Sequence, residues 1–174
     1  MRNTITMAQF HKLLWEITSI AYRLDDSDND GYVKCATCGK EMLYYGTRDA
    51  QMGHFMGRQR SSTKYDRCNQ LTQCQRCNGF YGKGEQYLMG LALDKRFGKG
   101  TAYKMAILSQ KHFKPTREYL KDMLVANSRM LLNNAVKKGL MHWKEGMAQW
   151  KIKLIEQLNT SVPSNIICPN YKIP

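Results

Sequence analysis

The sequence predicts an α+β fold, in which a central unit of short strands is flanked by an N-terminal helix and by C-terminal helices. Two observations lead to this expectation. Apolar residues recur at helical spacing near both ends of the 174-residue chain, whereas the middle is polar and rich in glycine. Two Cys-x2-Cys pairs, Cys35/Cys38 and Cys74/Cys77, enclose that middle part. We therefore expect one compact domain whose centre needs a bound metal to be stable.

Residues 1–24 form the first expected segment, and most of it should be one helix over about 6–24. Apolar side chains repeat every three or four positions there, and Thr4 or Thr6 can cap the first turn. The side chains expected on the buried face are Phe10, Leu13, Leu14, Ile17, Ile20 and Ala21.

Residues 25–100 form the expected core. Its predicted strands are short, at 32–34, 49–56 and 66–73, and a basic loop joins the last two. A short helix should begin between Cys74 and Asn78, before a break at Gly82-Lys83-Gly84. A further helix is predicted over about 85–97, with these side chains facing inward: Tyr87, Leu88, Leu91 and Ala92.

Residues 101–160 should be entirely helical, with helices at 102–110, from Pro115 to Gly139, and at about 141–159. The apolar stripe of the second of these is Leu120, Met123, Leu124, Leu131 and Ala135. The stripe of the last is Trp143, Met147, Trp150, Leu154 and Leu158. This last stripe can pack onto the protein's own core or form a homodimer. Residues 161–174 are expected to be an extended or disordered tail.

The formal net charge of +13 is unevenly distributed. Residues 1–51 carry six Lys and Arg against seven Asp and Glu, whereas residues 52–100 carry nine against three. A basic field over the central and C-terminal parts is typical of a protein that binds a polyanion, most simply nucleic acid. No apolar run approaches the length of a membrane span, and no signal peptide is evident, so we expect a cytoplasmic protein.

Four of the six cysteines form two equal pairs, which favours one zinc ion held by Cys35, Cys38, Cys74 and Cys77. Cys68 has no neighbouring cysteine to pair with, and Cys168 lies in the tail. A zinc ion with four thiolate ligands has no open position, so we expect its role to be structural.

Between the cysteine pairs lies His54, followed fifteen residues later by Asn69 and nine residues after that by Asn78. These spacings match the His–Asn–His/Asn pattern of ββα-metal (HNH) nucleases. In that pattern the histidine lies on a strand, the middle asparagine holds a loop, and the last residue binds a metal from a helix. A neutral imidazole can accept a proton from water near pH 7, as phosphodiester hydrolysis requires.

A longer series of motifs resembles the phage NinG/Rap recombination endonuclease family over about residues 20–110. The matching residues are Gly53-His54-Phe55, Arg58, Lys64-Tyr65-Asp66, Asn69, Gln73-Cys74-x2-Cys77-Asn78, Gly84, Tyr87, Leu91 and Phe97-Gly98. The resemblance implies a zinc-stapled HNH nuclease core that acts on branched DNA, such as Holliday junctions or D-loops, in the cytoplasm of a host cell. Gln51 departs from the pattern, because the family often has an acid there; the nearest acid is Asp49.

The first hypothesis is therefore a DNA endonuclease in which His54 is the general base, Asn69 holds the loop, and Asn78 binds catalytic Mg²⁺ or Mn²⁺. Asp49 or Gln51 could complete that metal site. The basic side chains expected to bind the DNA backbone are Arg58, Arg60, Lys64, Arg67 and Arg76. Two alternatives stay open: a non-catalytic zinc-stapled DNA-binding protein, and an HNH nuclease for ordinary duplex DNA.

Overall fold

The computed structural model describes residues 6–45, 49–79, 85–145 and 147–160. It is a mixed α+β fold with helices and two small antiparallel sheets, as the sequence predicts. The helices are α1 Met7–Asp26, α2 Gln75–Asn78, α3 Gln86–Phe97, α4 Thr101–Ser109, α5 Arg117–Lys138 and α6 Gln149–Thr160. The strands are β1 Tyr32–Lys34, β2 Glu41–Leu43, β3 Ala50–His54 and β4 Gln70–Cys74. The expected glycine break at 82–84 and the tail at 161–174, with Cys168, lie outside the described residues.

Thr6 caps helix α1, because its hydroxyl accepts a hydrogen bond from the backbone amide of Gln9 while the Gln9 side chain accepts one from the backbone amide of Thr6. This capping box satisfies backbone donors that the first turn would leave unpaired. The predicted apolar face of α1 is buried, except that Ile20 is only partly covered. It packs mainly along α5, and α6 packs on α5 in turn, so the three helices enclose most of the core.

Two antiparallel hairpins lie beside this helical layer. Strands β1 and β2 pair with Val33 opposite Met42, and the turn between them carries the first cysteine pair. Strands β3 and β4 pair with Gln51 opposite Gln73 and His54 opposite Gln70. The sequence prediction missed β2. It also extended the fourth strand too far, because residues 67–69 form a 3-10 helix that the Asp66 side chain caps.

The predicted inward face of α3 is wrong for three of its four residues, since only Ala92 is partly buried against the core. Tyr87, Leu88 and Leu91 are exposed, whereas Met89, Gly90 and Leu93 are buried. The cause is Gly90, where an added Cβ would lie 3.1 Å from the Phe55 ring. Phe55 thus packs against the bare backbone of α3 and turns a different face of the helix toward the sheet.

The last helix is shorter than predicted, because it begins at Gln149 and residues 142–144 form a separate 3-10 helix. Trp143 is buried in the core, but Trp150 is 57% exposed. The buried face of α6 contains Ile152 and Ile155, which the predicted stripe omitted. Met147, Leu154 and Leu158 pack partly against the same core. Most of this stripe is therefore covered within the chain itself.

Arg67, which the sequence assigns to DNA binding, is instead part of the protein interior. Its side chain is 7% exposed and forms ion pairs with Asp25, at 2.9 Å, and with Asp26. Its Nη1 donates to the Gln70 carbonyl at 2.7 Å. Asp26 also accepts hydrogen bonds from the amide and hydroxyl of Thr72. Arg67 thus ties the end of α1 to β4, and it is not exposed to bind a phosphate.

We predict that Arg67→Ala lowers the free energy of unfolding by about 3 kcal/mol, because the buried Asp26 carboxylate then keeps only the partly exposed Arg96 as an ion-pair partner. Urea denaturation followed by circular dichroism measures this change. Arg60→Ala is the matched control, since Arg60 is exposed and should change stability by less than about 0.5 kcal/mol. Equal stability of the two variants would contradict this structural role for Arg67.

Within the described ranges, none of the helices combines the length and the apolar character that crossing a membrane requires.

Candidate metal centre and adjoining cleft

The four paired cysteines converge on one point. Cys35 and Cys38 lie in the turn after β1, Cys74 ends β4, and Cys77 lies on α2. Their Sγ atoms all lie within 4.8 Å of one another, and those of Cys38 and Cys74 are 3.8 Å apart. A tetrahedron with Zn–S bonds of about 2.3 Å has edges of about 3.8 Å. The cluster can therefore bind a metal ion such as zinc, in agreement with the predicted ligand set.

The protonation of these thiols also favours a cation at the cluster. Burial and the neighbouring thiols raise the pKa of Cys77. Burial also acts to raise the pKa of Cys35, but hydrogen bonds from the backbone around it outweigh burial and bring that pKa to about 7. Four crowded thiols cannot all ionise without a positive charge between them. Metal binding at this cluster should therefore release protons and weaken in acid.

The first cysteine pair is connected to the second hairpin through Gln73. Its Nε2 donates to the Thr37 hydroxyl at 2.7 Å, and the Ala36 amide donates to the Thr72 carbonyl at 2.9 Å. The Gln73 side chain crosses Gly53, where an added Cβ would lie 2.0 Å from Oε1 of Gln73. The residue before His54 must therefore be glycine for this connection to form.

His54 is the last residue of β3, and the backbone holds its ring. Nε2 lies 3.1 Å from the carbonyl oxygen of Lys64. A carbonyl can only accept, so Nε2 carries the hydrogen and Nδ1 of the neutral ring is left as a proton acceptor. Burial lowers the pKa of His54 to about 4, aided by the charges of Arg58 and Lys64, although the Lys64 carbonyl opposes the shift. The ring is therefore neutral at pH 7.

Asn69 holds the loop that carries Lys64. Its Oδ1 accepts from the Met56 amide at 2.7 Å, and its Nδ2 donates to the carbonyls of Met56 and Thr63 at 2.9 and 3.0 Å. The side chain is fully buried. A buried amide with three such bonds is costly to displace, so it fixes both ends of the loop. The position of the Lys64 carbonyl, and hence of the His54 ring, depends on this bridge.

A cleft of about 620 Å³ opens beside His54. Asn78, at the end of α2, lines it together with Gln51, and Nδ2 of Asn78 donates to Oε1 of Gln51 at 2.9 Å. Helix α1 supplies Trp15, whose ring lies 4.8 Å from the His54 ring between centroids. The remaining residues around the cleft are Glu16, Ser19, Ile20, Arg23, Ala50, Met52, Gly57 and Arg58.

Some of the residues predicted to form a site meet here, and others do not. His54, Asn78 and Arg58 line the cleft, whereas Asn69 lies buried behind it. Asp49, one of the two candidates for completing the metal site, is exposed and pairs with Lys40 at 3.4 Å. The other candidate, Gln51, lies in the cleft.

The remaining predicted basic residues have different environments. Lys64 lines an adjoining pocket, Arg60 and Arg76 are exposed, and Arg67 is buried as described above. Sequence reasoning missed Trp15 and Glu16, because a helix that precedes the motifs gives no sign that its polar side borders the cleft.

No family model, curated protein or solved structure matches this chain.

We predict that Cys74→Ser lowers the bound zinc to a small fraction of one ion per chain and unfolds the central hairpins. The reason is that only three thiolates remain, which is one too few to complete the tetrahedral site. Metal analysis by mass spectrometry, with circular dichroism on the same samples, checks both effects. Cys68→Ser is the matched control, since Cys68 is buried but lies outside the cluster, and it should keep its zinc. Full zinc content in Cys74→Ser would rule out this ligand set.

Proposed function

We propose that this chain is a metal-dependent HNH endonuclease that hydrolyses DNA phosphodiester bonds, with branched recombination intermediates as its substrates. The observation that supports this most is the state of His54. Its ring is neutral, its Nε2 donates to the Lys64 carbonyl, its Nδ1 is left as an acceptor, and the residue lines an open cleft. A base placed in this way suits the activation of water.

In the proposed reaction, Nδ1 of His54 takes a proton from a water molecule. The resulting hydroxide forms a bond to the scissile phosphorus, the bond from phosphorus to the leaving oxygen breaks, and solvent returns a proton to that oxygen. The Lys64 carbonyl orients the ring and stabilises the imidazolium that forms, as a buried acceptor does for a general base. The approach of a phosphate anion raises the pKa of His54 and so strengthens the base in the complex.

The side chains beside His54 fit a magnesium or manganese ion. Asn78 and Gln51 lie against each other and both offer hard amide oxygens, which these ions accept. Glu16 also lines this cleft, but its carboxylate pairs with Lys151, which lines a neighbouring groove instead. Magnesium keeps several waters and takes substrate phosphate oxygens, so few protein ligands suffice. When bound, the ion would polarise the phosphate and stabilise the leaving oxygen as a Lewis acid.

The zinc proposed for the cysteine cluster has a different role. Four thiolates saturate a tetrahedral ion, so no position is left for water or substrate. Cys77 directly precedes Asn78, and Cys74 follows Gln73, which pairs with Gln51. A structural zinc would thus hold the two amide side chains of the cleft at a fixed separation.

The proposed DNA surface lies around the cleft, which Arg58 lines. Arg60 and Arg76 are exposed on the loop and the helix that contribute Arg58 and Asn78 to it, and the formal net charge of the whole chain is +13. Selectivity for branched DNA rests on the family resemblance, so cleavage of ordinary duplex DNA is the nearest alternative. A non-catalytic DNA-binding protein is the second. A homodimer stays a proposal with less support, because the stripe expected to form it is largely covered by the protein's own core.

We predict that His54→Ala lowers the cleavage rate by about 100-fold or more, the usual contribution of a general base, while DNA affinity and zinc content stay unchanged. Single-turnover cleavage of matched duplex, single-stranded, flap and four-way-junction DNA, with magnesium or with EDTA, measures the rate and the selectivity. His112→Ala is the control, since His112 is exposed and outside the cleft. Undiminished cleavage by His54→Ala would exclude this mechanism, and no cleavage by the unaltered protein would favour the binding protein.

We also predict that Gln51→Glu lowers the magnesium concentration needed for half-maximal cleavage, because a carboxylate binds this ion better than an amide and the substitution keeps the shape of the side chain. Gln51→Ala, which removes the oxygen, should raise that concentration. Magnesium titrations of the cleavage rate compare the two variants. If both substitutions shift the midpoint of the magnesium titration in the same direction, Gln51 is not a ligand of the magnesium ion.

A further inference from the structure

A second, smaller pocket adjoins the cleft and is strongly basic. Its volume is about 320 Å³, and it is lined by His11, Lys12, Trp15, Arg58 and Lys64. Trp15 and Arg58 also line the cleft of His54, so the two cavities share a wall. Three of the five lining residues are cations and none is acidic.

Among the residues that the structure describes, no acidic side chain neutralises these three cations. Lys12, Arg58 and Lys64 form no ion pair with any residue that the structure describes, whereas Arg67, Arg96 and Lys151 all do. Burial lowers the pKa of Lys64, and the charge of Arg58 lowers it further. Mutual repulsion of this kind is relieved when an anion binds between the cations.

The pocket is held in place by bonds between α1 and the loop after β3. The Tyr65 hydroxyl lies 2.8 Å from Nδ1 of His11 and donates to the His11 carbonyl at 3.3 Å. The Lys64 carbonyl accepts from Nε2 of His54 and from Nε2 of Gln70. Lys64 therefore contributes its backbone to the cleft and its side chain to the pocket, so the two sites keep a fixed spacing.

Trp15 forms the wall between the cleft and the pocket. The centroid of its ring lies 4.8 Å from that of the His54 ring and 5.6 Å from the guanidinium carbon of Arg58. Stacking on an aromatic ring restricts a long arginine side chain and keeps its charge in place. The charge of Arg58 is thus held at the boundary that the two cavities share.

We propose that this pocket binds a backbone phosphate of the DNA strand next to the phosphate that is cleaved, and so sets the position of that strand across His54. The inference rests on the proposed nuclease function and adds to it a second phosphate site built partly from α1. The ligand it takes is a phosphodiester anion, which the three cations attract and which the shared wall places beside the cleft.

The salt dependence of DNA binding tests the pocket without requiring cleavage. Each phosphate contact contributes about 0.9 to the slope of log affinity against log salt concentration. We expect the double variant Lys12→Met/Lys64→Met to flatten this slope by about 0.9, measured by fluorescence anisotropy with a labelled four-way junction. Lys12→Arg/Lys64→Arg keeps the charges and should restore the slope. An unchanged slope in the methionine variant would overturn the proposal.

Lys137→Met is the matched control. Lys137 is exposed at the end of α5, where the adjacent Lys138 bonds the Leu24 carbonyl at the far end of α1 from Lys12. Removing its charge should leave the slope unchanged. An equal flattening of the slope in the control variant would show a general charge effect and would also count against a defined pocket.

Neutral methylphosphonate linkages, placed one at a time beside the cleavage position, locate the contact. One of them should weaken cleavage by the unaltered protein but make no further difference to the methionine variant; equal sensitivity of both proteins would refute the site.

Inorganic phosphate alone, followed by ³¹P NMR, distinguishes a free-anion site: binding that the methionine variant loses while its DNA slope is unchanged would contradict a DNA contact. A flattened slope in a protein that cleaves no substrate would support the pocket and reject the nuclease function.

Discussion

The cluster of four thiols is the constraint on which the centre of this protein depends. The strands around it are three to five residues long, and α2 has four residues. Elements this short are not stable in isolation, and an isolated two-stranded hairpin is marginal at best. The cluster joins the turn after β1 to the end of β4 and to α2. With a metal bound, the free energy of ligation becomes free energy of folding for both hairpins.

Helix α1 connects this small centre to a conventional hydrophobic core. Its apolar face packs on α5, and its last turn carries the two aspartates that pair with Arg67. Its other side supplies Trp15 to the cleft, and Arg23 donates to the Ala50 carbonyl at the start of β3. The helix thus serves as a rigid support against which the second hairpin is positioned. Side chains on such supports are held more precisely than side chains on loops alone.

The loop between β3 and β4 illustrates how a buried polar network can order a functional site. Asn69 makes three hydrogen bonds inside the loop, and the carbonyl of Lys64 accepts from two side chains. Because these polar groups are buried, breaking one bond would leave a donor or acceptor without a partner. The loop therefore has one strongly preferred conformation. The proposed chemistry of His54 needs this order, since the hydrogen on Nε2 determines which nitrogen can accept a proton.

The sequence by itself determined the features that depend on local pattern. Helical periodicity located the helices and the buried faces of α1 and α5, and the equal spacing of two cysteine pairs identified the four clustered thiols. Only the tertiary structure decided the role of Arg67, the face of α3, and the meeting of Gln51 with Asn78 beside Trp15. A charge or an aromatic ring in a sequence does not specify its partner. Contacts between residues far apart in the chain depend on how complete elements pack, and such packing leaves no linear signal.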